Sequence, residues 1–280
     1  VADRAGGTRM TRFRKLLLPR WAFGVTVVAI YAFMFLPIAV VVLVSLNPEP
    51  YLRLPPTGIS LRWYRQVFTA EWMPALRYSL VLALGVAVTS TILGGLGAFA
   101  IARYRFPGRA ALQAFLMSPL SIPSIVTGVA ILQFITIANL QALLGHPSLL
   151  LAHVVVTVPY AVRMIGISLF SFDRRLEDAA QNLGARPGQV MRYVTLPLLK
   201  PGVFAGMTFA FIVSFNNVPV SLFLVRPGST TLPIKILNYL EYRLDPTLAA
   251  VNMVSLLIVL AGVAIAERIG GFTRFVYGRG

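Results

Sequence analysis

Long uninterrupted runs of apolar residues, separated by short polar segments, dominate this chain. Six runs are each about as long as the roughly 20 residues that a helix needs to cross a bilayer. They cover about 22–46, 76–102, 112–138, 149–172, 202–225 and 248–266. Apolar residues fill these runs on all sides rather than along one helical face, which is typical of helices surrounded by lipid. The pattern predicts an all-α, polytopic bundle with six transmembrane helices.

Composition agrees with a membrane protein. Of the 280 residues, 57% are hydrophobic and 12% are charged, and the mean hydropathy is +0.78. Soluble domains carry about 25% charged residues, so this chain has too few charges to cover a water-exposed surface. A soluble enzyme, a disulfide scaffold and a disordered chain are excluded. The absence of cysteine also excludes thiol catalysis and thiolate metal sites.

The basic residues define a topology. The first run follows a basic segment that resembles the start of a signal peptide. It is too long for one and lacks a clean cleavage site, so we predict a retained first span. Seventeen Lys and Arg residues fall on the side of the N terminus and seven on the other. The seventeen are Arg4, Arg9, Arg12, Arg14, Lys15, Arg20, Arg103, Arg105, Arg109, Arg174, Arg175, Arg186, Arg192, Lys200, Arg268, Arg274 and Arg279.

Because basic residues accumulate in cytoplasmic loops, both termini are predicted to be cytoplasmic. One transmembrane domain would then cover 1–280, with a cytoplasmic tail at 1–21, an external loop at 47–75 and a cytoplasmic loop at 173–200. This topology explains the net charge of +16, so nucleic acid is not predicted as a partner. The external loop contains several prolines and Trp63, Tyr64 and Trp72, which indicate either an interfacial anchor or a docking site for an external partner.

The predicted spans lack buried carboxylates. None of the nine acidic residues lies near the middle of a span, which argues against a proton- or sodium-driven carrier. Arg163 is the one charge inside a span, and its long side chain can reach the interface. No nucleotide-binding P-loop sequence and no metal-ligand cluster is present, and His146 and His153 are predicted to be loop or packing residues rather than ligands. We predict no catalytic residue, no metal and no cofactor in this chain, so energy must come from another subunit.

Small residues and prolines indicate how the predicted helices pack. The second run carries small residues at four-residue spacing, namely Ser90, Gly94, Ala98 and Ala102, which predicts a close helix contact. Prolines within the third and fourth runs, Pro119, Pro123 and Pro159, predict kinks because proline removes a helical hydrogen bond.

The cytoplasmic loop at 173–200 predicts two short helices. Glu177 and Asp178 suit the first turn of the first helix, where the helix dipole favours negative charge. Ala179 and Ala180 leave one face thin enough for another protein to approach. Gly184 can end this helix in the left-handed conformation. A second helix would begin at Pro187 and would be closed by Pro197.

The same segment resembles the E-A-A-x-x-x-G-x9-[IV]-x-L-P motif of inner-membrane permease subunits of binding-protein-dependent ABC importers. The matching residues are Asp178, Ala179, Ala180, Gly184, Val194, Leu196 and Pro197. Aspartate stands where the motif has glutamate, with Glu177 just before it. The resemblance is greatest to the second permease of spermidine/putrescine-type importers, through 103–106, 118–119, 214–218, 231–236 and 245–246.

This resemblance implies a type I ABC importer permease fold with a cytoplasmic coupling helix, in a bacterial inner membrane. It implies three kinds of protein partner: two copies of a cytoplasmic ATPase that bind ATP and Mg²⁺, a sister permease in a heterodimer, and a periplasmic solute-binding protein. ATPase coupling is carried over to Glu177, Asp178, Ala179, Ala180, Gly184, Leu196 and Pro197. Ser214, Asn216 and Asn217 become candidates for the translocation pathway.

The solute class stays open at this point. Polyamine-type relatives often have acidic residues where this chain has Asn216 and Asn217, and amides cannot neutralise a dication. The asparagines could equally join helices by hydrogen bonds. A polyamine is expected; an opine, an amino-acid derivative or an organophosphonate is an alternative within the same machinery. A channel or a self-powered carrier is the alternative from another class.

Overall fold

The structure is a computed structural model, and it describes residues 20–271, with only the backbone described at Arg20. The predicted tail at 1–21 and the basic residues Arg274 and Arg279 lie almost wholly outside this range. Within it the chain is all-α, as predicted, and contains no strand. Its α-helices are α1 (Arg20–Ser45), α2 (Arg62–Val67), α3 (Met73–Arg103), α4 (Arg109–Met117), α5 (Ser124–Ile137), α6 (His146–Ser171), α7 (Arg175–Asn182), α8 (Pro187–Val190), α9 (Leu196–Phe215), α10 (Ser221–Leu224), α11 (Leu232–Tyr242) and α12 (Pro246–Gly270).

Five stretches of helix within residues 20–271 are long and apolar enough to cross a membrane. They are α1, α3, α6, α12 and the combined stretch Pro187–Phe215, which ends with α9. A sixth span requires counting two bent helical segments together, Arg109–Ser121 and Ser124–Ile137. The predicted number of six spans therefore holds only if this broken pair is one span.

The third predicted span is broken far more sharply than a kinked helix. Its two segments meet at an angle of 105°. Residues Ser118–Ser121 form a 3₁₀ turn, and Ile122 is extended with φ −99° and ψ 126°. Pro123 explains this geometry, because the ring of a proline drives the preceding residue away from the helical region.

The fifth predicted span begins and ends earlier than the apolar pattern indicates. Helix continues from Pro187 to Phe215, and the chain then turns before the short helix α10. The prediction that Pro197 closes the second loop helix is therefore wrong. A π-helical turn over Met191–Thr195 precedes α9, whose first turn holds Pro197. The wider hydrogen-bond spacing of the π-helical turn lets the helix continue through Pro197, which has no backbone N–H to donate.

Helices α3, α6 and α9 form the centre of the bundle. Small residues allow their close approach: a Cβ atom added at Gly94 would lie 2.7 Å from the Cβ of Ala161. On the same face, the hydroxyls of Ser90 and Thr157 are hydrogen-bonded at 2.7 Å. The close contact predicted for the small residues of the second span is confirmed, and it joins α3 to α6.

A second hydrophobic core lies where α2, α11 and the first turns of α3 and α12 meet. Trp72 is fully buried there, and the indole N–H of Trp63 donates to the backbone carbonyl of Asn47 at 2.7 Å. Since both rings are buried, Trp63 and Trp72 are not the exposed interfacial anchors that the pattern favoured; docking of an external partner to the 47–75 loop stays a prediction. Both rings help to hold the 47–75 segment onto the bundle, because burying a large apolar ring is favourable. The indole N–H of Trp63 is satisfied there, whereas that of Trp72 is buried without a hydrogen-bond partner.

This core and α7 lie at opposite ends of the bundle. Helix α3 begins beside α2 and has 31 residues, so its ends are about 46 Å apart at 1.5 Å per residue. Its last residue, Arg103, contacts Glu177 of α7. The two ends are called here the α2 end and the α7 end.

Candidate functional site

The segment that carries the resemblance folds as a short helix at the α7 end. Asp173 precedes α7 and accepts a hydrogen bond from the backbone N–H of Arg175 at 2.9 Å. Glu177 and Asp178 occupy the first turn, and Gly184 follows the helix with a positive φ of 88°. Pro187 stands in the first turn of α8. These local predictions are confirmed, because each rests on the conformational preference of one residue type.

The two neighbouring carboxylates of α7 point in different directions. Asp178 is exposed, whereas Glu177 is 8% exposed. An oxygen of the Glu177 carboxylate lies 3.1 Å from Nη2 of Arg103, at the end of α3. Its other oxygen accepts a hydrogen bond from the hydroxyl of Thr195 at 2.6 Å. Glu177 therefore joins α7 to the bundle, while Asp178 is directed outward.

The remaining predicted coupling residues lie on or near the outer surface. Ala179, Gly184, Leu196 and Pro197 are exposed, and Ala180 is half-buried. Large apolar side chains accompany them, since Leu176, Leu183, Tyr193 and Leu196 are all exposed and Leu183 is 90% exposed. We call these four side chains the apolar patch of the α7 end. These exposed apolar side chains are available for contact with another protein or with lipid.

The three predicted pathway residues differ in burial. Ser214 is buried, and its hydroxyl is hydrogen-bonded to Nδ1 of His153 at 2.8 Å. Asn217 is also buried, and its side-chain oxygen accepts from the backbone N–H of Val220 at 3.0 Å. Asn216 is exposed, and its amide donates to the backbone carbonyl of Ile212 at 3.0 Å. Of these three residues, Asn216 is therefore the one whose side chain is exposed at the surface of the chain.

His153 organises the break between α9 and α10. Its ring is fully buried, with Nδ1 hydrogen-bonded to Ser214 and Nε2 hydrogen-bonded to Ser221 at 3.0 Å. The imidazole thereby connects the last turn of α9 to the first turn of α10. The prediction that His153 is a packing residue is confirmed, and its two serine partners are a finding of the structure.

Sequence reasoning missed Arg103 and Thr195 as parts of the site. Arg103 ends the second apolar run, where a basic residue is common, and Thr195 is an ordinary residue of the motif interior. Neither position carries a sequence feature that links it to Glu177.

Arg163, the charge inside a span, is exposed at an open cavity of about 280 Å³ that Gln113, Met117 and Phe170 also line. Within residues 20–271 no cluster of His, Asp and Glu has the arrangement of a metal site.

Similar proteins identify the family. The family model for the "Binding-protein-dependent transport system inner membrane component" matches residues 90–269. The chain is 33% identical to the spermidine/putrescine transport system permease protein PotC of Haemophilus influenzae, over 86% of this chain and 93% of that protein. It is 30% identical to the putrescine transport system permease protein PotI of Escherichia coli K12, over 79% of this chain and 80% of that protein.

Solved structures agree with the fold. The chain resembles a chain of a bacterial ABC transporter involved in the import of the acidic polysaccharide alginate, with a TM-score of 0.65, 16% identity, and coverage of 95% of this chain and 99% of that one. Since the family match includes α7 and most of the bundle, the chain belongs to the family of inner membrane components of binding-protein-dependent transport systems.

Proposed function

We propose that this chain is a permease subunit of an ABC importer that carries a polyamine, such as spermidine or putrescine, or a related small amine. The observation that carries this proposal is the apolar patch beside an outward-facing Asp178 at the α7 end. Such a surface suits a groove on an ATPase, which supplies the energy that this chain cannot. The names of the PotC and PotI relatives support a polyamine as the solute.

The proposed assembly contains two ATPase copies, a sister permease and a periplasmic solute-binding protein. Asp178, Ala179, Ala180 and Gly184 would contact an ATPase, with Leu196 and Pro197 at the edge of the same surface. ATP and Mg²⁺ would bind to the ATPases rather than to this chain. Because α1 packs mainly against α12 and leaves nearly all its side chains exposed, it has ample surface for lipid or the sister permease.

The proposed orientation places the α7 end and both termini in the cytoplasm and the 47–75 segment in the periplasm. The distribution of Lys and Arg supports this orientation. It makes residues 1–280 one permease domain, with 173–200 as the cytoplasmic coupling segment.

The test of the function is ATP-driven uptake by the reconstituted complex of all four components. Radiolabelled putrescine or spermidine should enter proteoliposomes only when the binding protein and ATP are both supplied. Competition by an opine, an amino-acid derivative or an organophosphonate, but not by polyamines, would assign another solute to the same machinery. Uptake in energised vesicles that lack the ATPase would contradict the proposal and favour a self-powered carrier.

The proposed pathway residue is Asn216, whereas Ser214 and Asn217 would act from within the chain by fixing the α9–α10 turn. Asn216→Asp would place a negative charge where a cationic solute passes, and we expect the KM for putrescine uptake to fall about threefold, since a partly exposed charge pair contributes roughly 0.7 kcal/mol. The KM is measured in the same vesicles. Asn139→Asp is the control, because Asn139 is exposed in a turn outside this region. An unchanged KM would remove Asn216 from the pathway.

A further inference from the structure

We propose that the Arg103–Glu177 ion pair is a mechanical link that makes α7 move together with α3 and α9, and that Glu177 is a positioning residue rather than part of the ATPase contact. The inference rests on the proposed function, because it concerns how work done on α7 reaches the membrane helices. It divides two adjacent carboxylates between two tasks: Asp178 faces the partner, and Glu177 faces the bundle.

Burial and geometry support this division. The Arg103 and Glu177 side chains are 12% and 11% exposed, so the pair is largely removed from water. The carboxylate uses both oxygens, one toward Arg103 and the other toward Thr195. A hydroxyl that donates to a carboxylate at 2.6 Å forms a short, charge-assisted bond, which is stronger than a bond between neutral groups.

The guanidinium of Arg103 depends on this one carboxylate. Its other contact is with the ring of Phe172, whose centroid lies 4.7 Å from Cζ. Within residues 20–271 Glu177 is its ion-pair partner. Nε and Nη2 are both buried without a hydrogen-bond partner, so the contact of Nη2 with Glu177 is an electrostatic one. Since an unpaired buried charge is costly, the pair resists separation and α7 cannot leave the end of α3 without a large penalty.

The three connected positions belong to elements that a transport cycle must move together. Arg103 is the last residue of α3, a central helix of the bundle. Thr195 is the last residue of the π-helical turn that leads into α9, another central helix. Phe172 directly follows the last residue of α6, the third central helix, and lies three residues before the start of α7. A force applied to α7 would therefore reach all three central helices at one point.

The experiment measures putrescine uptake and ATP hydrolysis in parallel in proteoliposomes that contain the complete complex. Glu177→Gln and Arg103→Gln should each lower uptake roughly tenfold, while the ATPase copurifies normally and hydrolysis with binding protein present stays within about twofold, since one buried charge pair is worth a tenfold change or more. The ratio of ATP hydrolysed to solute imported should therefore rise. A purely structural role would lower both rates together.

The double variant Arg103→Gln/Glu177→Gln decides whether the two residues act as a unit. If they do, the double variant should lose no more uptake than either single variant. Arg103→Lys keeps the charge and should retain most of the uptake. Arg105→Gln is the matched control, because it removes an exposed arginine two residues away and should leave uptake and hydrolysis unchanged.

Three outcomes would overturn the link. Losses that multiply in the double variant would show that the residues act independently. A Glu177→Gln complex from which the ATPase dissociates, while Arg103→Gln retains it, would place Glu177 in the docking contact. If the glutamine variants fail to assemble, an Arg103→Lys complex that assembles and still loses tenfold in uptake would show that the charge is not what matters. Failure of the proposed function is distinguishable, since the unmodified complex would then show no ATP-driven uptake.

Discussion

Replacing Gly184 with arginine is expected to abolish coupled uptake, with a loss of roughly 100-fold, the size of effect seen when a central interface contact is destroyed. Gly184 follows α7 with φ 88°, and a Cβ atom there would meet nothing within 4 Å among residues 20–271. The new side chain would therefore project into the space that the ATPase is proposed to fill. Uptake is measured in proteoliposomes, together with copurification of the ATPase.

Gly108 provides the matched control for Gly184. It is exposed, has φ 86° and also has open space around its Cβ position, but it precedes α4 rather than following α7. Gly108→Arg therefore introduces the same strain and the same charge away from the proposed contact. Gly184→Arg with normal uptake and normal ATPase copurification would refute the docking surface. Equal losses from both variants would assign the effect to backbone strain.

Gly94→Leu is expected to destabilise the bundle by about 3 kcal/mol, the upper part of the range for overpacking a well-packed core. A Cβ atom at Gly94 would lie 2.7 Å from Ala161 Cβ, 3.0 Å from the Val162 nitrogen and 3.1 Å from the Val158 oxygen. Two of these three atoms belong to the backbone of α6 and cannot rotate away. The measurement is the thermal unfolding midpoint of the purified permease in detergent.

Gly85→Leu is the control on the same helix. The nearest atom to its Cβ position is Cδ1 of Leu150 at 3.7 Å, an ordinary contact at the far end of a flexible side chain. Both variants add the same side chain to α3, so helix propensity and hydrophobicity change equally. A similar unfolding midpoint for Gly94→Leu and wild type would contradict the close α3–α6 packing.

The coupling segment shows how far local sequence can lead. Acidic residues in a first turn, a glycine after the helix and a proline opening the next helix each act within a few residues, and each is where the pattern predicts it. The orientation of the Glu177 side chain, by contrast, is not set by its sequence neighbours. It depends on Arg103 and Thr195, which are distant along the chain and meet Glu177 only when α3, α7 and α9 are packed.

The errors have related causes. Pro197 disfavours a regular helix because it lacks a backbone N–H, but the π-helical turn that precedes it allows the helix to continue. Apolar composition predicts one span at 112–138, yet two helices and a sharp turn have the same composition. Trp63 and Trp72 have the amphipathic rings of interfacial residues, but a neighbouring core buries both, and a backbone carbonyl accepts a hydrogen bond from the indole of Trp63.

Composition and short-range preferences decide that this chain is a bundle of apolar helices with an acidic, glycine-terminated helix at one end, because water exclusion and backbone conformation act residue by residue. Tertiary packing decides which of two adjacent carboxylates faces a partner, which polar residues of the α9–α10 turn are satisfied internally, and where a span breaks. Those outcomes depend on the pairing of groups from distant segments. A buried charge or hydrogen-bonding group needs a partner, and the packing of the helices determines which partner lies within reach.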